Sequence, residues 1–149
     1  MKPSEIRSRI LSDHERLRGD LDRLEALVSD LRGGRAALGT LRMDGGALIA
    51  RLQAHMRWEE SYLLPALRDA DAWGEERAER LTREHREQRE LLDFLNARLR
   101  DEAQPAALVA RDVDHLIALL RDDMREEEAD LLDERVLRDD VVSVDALTS

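Results

Sequence analysis

The sequence predicts an all-α fold, an antiparallel up-down-up-down bundle of four helices, on three observations. Leu, Ala, Arg and Glu dominate the chain, all strong helix formers, while glycine and proline are scarce. Few β-branched residues precede the last dozen positions, so a sheet has little to be built from. Apolar residues recur at three- and four-residue steps in four separate stretches, the period of an amphipathic helix. With 149 residues, one domain can bury a core without covalent staples.

The first helix is expected from about Ser4, as N-cap, to Leu31, with Ile6, Ile10, Leu17, Leu21, Leu24 and Leu31 on its inner face. Gly33 and Gly34 stop it. The second region reads as a short turn of helix over residues 36–43, then a helix capped by Asp44 and periodic through Leu48, Leu52, Met56 and Leu63. Pro65 is expected to end or kink it, because proline lacks an amide and clashes with the preceding turn. The third helix starts near residues 73–75 and runs to about Arg100, with Leu81, Leu92, Leu95 and Leu99 inside. Pro105 suits the first turn of a fourth helix, which carries Leu108, Val113, Leu116, Leu120, Met124 and Leu131 and ends near Val136. The bundle is expected over residues 1–138. Residues 139–149 form a C-terminal tail, whose last part, VVSVDALTS, is expected to be loosely docked or frayed.

The two halves of the chain resemble copies of one helix pair. His14, Leu17, Leu21 and Leu24 share their spacing with His85, Gln88, Leu92 and Leu95. HMRWEESYLL, from His55, aligns with DMREEEADLL, from Asp123, so that Met56 meets Met124, Glu59 meets Glu127 and Glu60 meets Glu128.

Charge and composition exclude several classes. A formal net charge of −10 repels phosphate backbones and anionic lipids, which argues against nucleic acid and membrane partners. The absence of cysteine rules out disulfides, Cys-ligated zinc and thiolate-held clusters. The N-terminus has no apolar run of signal-peptide length, and no stretch approaches the ~18 apolar residues of a membrane span, so a cytoplasmic protein is expected.

Six ligand-type residues fall at positions the leucine period would otherwise fill. His14 replaces an apolar residue on the first helix and His85 on the third. His55 and Glu59 are one turn apart on the second, and Asp123 and Glu127 repeat that spacing on the fourth. In an antiparallel bundle these positions share one layer. Burying an unpaired carboxylate costs several kcal/mol. Three in one layer would repel each other, and some would take up protons. A pair of cations removes the conflict, and imidazole mixed with carboxylate suits iron or manganese, with zinc also compatible.

With these residues in place, the chain resembles the hemerythrin-like (HHE cation-binding) domain family over roughly residues 5–135. The likeness rests on His14, on the run HMRWEESYLLP containing His55 and Glu59, on His85, and on MREEEADLL containing Glu127. The resemblance implies two iron ions in an oxo- or hydroxo-bridged non-haem centre. Glu59 and Glu127 would bridge, and His14, His55 and His85 would be terminal ligands. Oxygen-carrying hemerythrins have a second histidine one turn from the one on the third helix; here Leu81 and Arg89 flank His85. The pattern is closer to the symmetric branch with HxxxE on the second and fourth helices, which resembles the repair-of-iron-centres and mycobacterial hemerythrin-like proteins. In this chain the second of those histidines is Asp123, which would bind directly, through water, or leave one iron more open.

The implied partners are small molecules: dioxygen, peroxide and nitric oxide. The protein would react with them, carry or sense them, or else store and donate iron to damaged iron centres. A metal-free helical interaction module is the remaining reading, and no catalytic residue is assigned. Among other residues, Gln88 is a candidate polar neighbour of the site, Tyr62 a surface or packing residue, and His115 too far along its helix to reach the layer. Trp58 and Trp73 are expected to be packing residues, and Met43, Met56 and Met124 core fillers.

Overall fold

The computed structural model describes residues 1–140. Four helices follow one another: α1 over Pro3–Arg32, α2 over Leu38–Ala70, α3 over Gly74–Arg100 and α4 over Ala106–Asp130. Each packs chiefly on its two neighbours, around the ring α1, α2, α3, α4.

The core forms two clusters. One end of the bundle holds Ile6, Ile10, Leu63, Leu67, Leu81, Leu131 and Leu132. The larger end holds Leu17, Leu21, Leu52, Met56, Leu92, Leu95, Leu120 and Met124 among others. α1 and α3 run from the first cluster to the second, and α2 and α4 run back, which makes the topology up-down-up-down. Between the clusters each helix contributes polar residues where the apolar stripe is interrupted.

Local chemistry moves several element ends from their expected places. α1 begins two residues earlier than Ser4 suggests: Lys2 is the N-cap, Pro3 opens the first turn, and the Lys2 amide donates to Glu5 Oε2 at 2.8 Å. Ser4 instead donates its amide and hydroxyl to Asp139, at 2.9 and 2.6 Å. α2 is continuous through Asp44 and through Pro65. Pro65 faces solvent, where water can take up the carbonyl freed by its missing amide. α4 stops at Asp130, and Leu131, Leu132, Val136 and Leu137 cover the end of the core from a turn. Arg7 closes that end by donating to the Leu132 carbonyl at 2.6 Å. Met43 and Trp73 do not pack inside; they are 77% and 61% exposed. Met56 and Met124 are buried, and Trp58 is half-buried beneath the Arg9 guanidinium. The expectation for VVSVDALTS lies outside the described residues.

Candidate metal centre

His14, Glu59, His85 and Glu127 are buried, with exposures of 1, 2, 1 and 8%. Each stands in a stripe of core residues: His14 between Ile10 and Leu17, Glu59 between Met56 and Leu63, His85 after Leu81, Glu127 between Met124 and Leu131. The helical period that builds the core therefore also aims these side chains inward. One ligand-type atom from each of His14, His55, Glu59 and Glu127 lies within 4.8 Å of the others. The His14 and His55 rings are 5.3 Å apart, centre to centre. His14 Nε2 lies 3.3 Å from Glu127 Oε1, and His55 Nε2 lies 3.2 Å from Glu59 Oε1. From the far side His85 Nε2 approaches the same Glu59 oxygen at 3.2 Å.

These contacts leave the layer unsatisfied. His55 Nε2, Glu59 Oε2 and Glu127 Oε1 are buried without a hydrogen-bond partner. Orphaned buried acceptors are uncommon, and each costs about 1–3 kcal/mol, more when charged. A cation satisfies several at once, so the donor set fits a metal of the imidazole- and carboxylate-binding kind.

Electrostatics says the same. Burial, and then the charge of Glu59, push the Glu127 carboxyl well above its ordinary range. Burial also acts upward on Glu59, but its polar contacts with Glu127, His55 and His85 outweigh it and hold Glu59 low. Without a metal, burial and like charge therefore favour a protonated Glu127 beside an ionised Glu59. Burial, and then the His55 charge, hold His14 below its usual value, which favours the neutral imidazole a metal requires.

The outer edge of each histidine faces a carboxylate that an arginine fixes. His14 Nδ1 lies 3.4 Å from Glu128, whose carboxylate is clamped by Arg18. His85 Nδ1 lies 3.5 Å from Glu60, clamped by Arg89. His55 Nδ1 lies 3.4 Å from Asp13, held by Arg9 and Arg16. A carboxylate at that edge favours the tautomer with its proton on Nδ1, leaving Nε2 free for the interior. Burial raises the Glu128 carboxyl, but Arg18 outweighs it and keeps the group ionised; the Arg89 hydrogen bond does the same for Glu60.

Comparison with known families supplies the decisive observation: the hemerythrin HHE cation binding domain matches residues 5–134. The chain belongs to the hemerythrin HHE cation-binding family. No characterised protein and no solved structure gave a match.

Within this hemerythrin-family bundle the six sequence-predicted residues fall unequally. His14, His55, Glu59 and Glu127 converge, and His85 touches Glu59. Asp123 is not among the converging residues; its Oδ2 accepts a hydrogen bond from the Gln88 amide at 2.9 Å. His115 is exposed. Sequence reasoning missed the outer carboxylates and arginines, although the repeat carries their signal. Arg18 and Arg89 each stand one turn after a layer histidine, and Glu60 and Glu128 each follow a layer glutamate.

Beside His55 the bundle opens. A cleft of about 740 Å³ between α1 and α2 is lined by Arg9, Asp13, Arg16, Arg51, His55 and Trp58. No described helix is long and apolar enough to cross a membrane.

Proposed function

We propose that this protein holds two iron ions in its central layer and there binds or reacts with small oxidants and diatomics: peroxide, nitric oxide or dioxygen. Glu59 and Glu127 would bridge the ions, His14 and His55 would serve one and His85 the other, with Asp123 beside the second. The observation that carries this reading is the buried cluster of His14, His55, Glu59 and Glu127 with its unpartnered acceptors. Iron bound there supplies electron transfer and open coordination positions for a small ligand.

The chain's own residues prepare the place. The apolar clusters above and below the layer exclude bulk water. The arginine-held carboxylates stand at the outer edges of His14 and His85, where they favour a proton on Nδ1. His55, whose side chain is 10% exposed, borders the cleft, so a small molecule reaches the layer along that side.

The test is to purify the protein without a metal-affinity tag, then measure its metal content and absorption spectrum before and after adding peroxide and nitric oxide. About two irons per chain, with near-ultraviolet charge-transfer bands that change on addition, is the expected result. No metal, or a single zinc with a featureless spectrum, would sink it.

A further inference from the structure

Around the layer the two halves of the bundle share a set of corresponding residues. On α1 and α3, Arg9, Asp13, His14 and Arg18 correspond to Arg80, Glu84, His85 and Arg89. On α2 and α4, Met56, Glu59 and Glu60 correspond to Met124, Glu127 and Glu128. The contacts follow the correspondence. Arg9 reaches Asp13 at 3.2 Å as Arg80 reaches Glu84 at 3.0 Å, and Arg18 clamps Glu128 as Arg89 clamps Glu60.

Two of the differences touch each other. Asp123 stands where the first half has His55, and Gln88 stands where it has Leu17. The Gln88 amide donates to Asp123 Oδ2 at 2.9 Å. In the first half, Leu17 is buried in the core and His55 turns Nε2 into the layer, with Asp13 behind it. In the second half the corresponding residue is a shorter carboxylate with one oxygen engaged, half-buried and outside the converging group. Glu84, the counterpart of Asp13, has no imidazole to orient and pairs with Arg80.

We propose that the two metal positions are unequal: the His14–His55 half binds the first ion tightly, and the His85–Asp123 half binds the second more weakly and exchangeably, with Gln88 holding Asp123 back from the layer. This rests on the metal-binding reading above. Two imidazoles and two shared carboxylates form the stronger set for a borderline divalent ion, and the second half replaces one imidazole with a restrained, harder oxygen donor. The chain would thus keep one resident ion and exchange the other.

The test is an anaerobic titration of metal-free protein with Co(II), followed by visible absorption and calorimetry. Two phases are expected, with dissociation constants at least about tenfold apart, the scale on which metal-site surroundings act. His55→Ala should remove the tight phase, and Asp123→Ala should leave it in place. Asp123→His combined with Gln88→Leu, which gives the second half the first half's residues at these two positions, should draw the weak phase toward the tight one. A single tight ion, kept in Asp123→Ala and lost in His55→Ala, also supports the proposal. Two equivalent ions in the unaltered protein would overturn it and leave the metal reading standing, as would an Asp123→Ala variant that weakens both phases alike. Binding of no Co(II) at all would overturn both.

Discussion

At the scale of single residues, what aims the histidines is as informative as the histidines themselves. Glu128 lies against His14 and is fixed by Arg18, and Glu60 lies against His85 and is fixed by Arg89. Both carboxylates sit at the rim of the layer rather than inside it. Removing one should leave the fold intact and loosen the metal. Glu60→Ala or Glu128→Ala is expected to lower metal affinity by roughly 10–100-fold, read by competition with a coloured chelator, with little change in the denaturant midpoint of the metal-free chain. An affinity unchanged in both variants would show that the rim carboxylates do not orient the imidazoles. The layer residues were legible because each interrupts a leucine stripe. The rim residues were not, since a charged residue beside a layer position usually belongs to a solvated face, and only the repeat singles these out. Asp123 was legible as a position but not as a state, because its hydrogen bond with Gln88 joins residues 35 apart on two different helices.

At the scale of elements, helix existence was written in the periodicity, while the ends were settled by contacts between helices. α2 is the clearest case. Its Asp44-Gly45-Gly46 run reads as a start signal, yet the helix passes through it because buried Gly45 brings α2 close to Leu99 of α3. A methyl there would meet Leu99 Cδ1 at 2.9 Å, and a leucine end can move. Gly46 has open space around its Cα, so Gly46→Ala should gain about 0.5–1 kcal/mol by helix propensity alone. Gly74 is the opposite. At the start of α3 its missing Cβ would fall 2.2 Å from the Leu67 carbonyl oxygen and 2.6 Å from that of Arg68. Backbone cannot yield as a side chain does, so the α2–α3 corner must open to admit a methyl. Gly74→Ala is expected to destabilise by roughly 1–3 kcal/mol, as overpacking does. Urea unfolding of the two variants beside the parent checks the pair. Equal midpoints would contradict the close approach at the corner.

At the scale of the whole molecule, the metal layer divides the core, so loading and stability are coupled. Two apolar clusters meet across a layer of imidazoles and carboxylates that, without a metal, holds orphaned acceptors and a carboxyl, Glu127, pushed toward its protonated form. A cation that binds only the folded chain adds RT ln(1 + [L]/Kd), about 2.7 kcal/mol at a hundredfold excess over Kd. For a chain of this size that raises Tm by roughly 5–10 °C. Glu127→Gln separates the two contributions. The amide has the shape of the protonated acid and can still donate to Glu59, so the metal-free variant should melt close to the metal-free parent. It cannot carry the charge that binds a cation, so the rise in Tm on adding Fe(II) anaerobically should largely disappear. A variant that melts far below the metal-free parent would mean that ionised Glu127 already supports the fold alone. One that keeps the full metal-induced rise would remove Glu127 from the ligand set and leave the layer to Glu59 and the histidines.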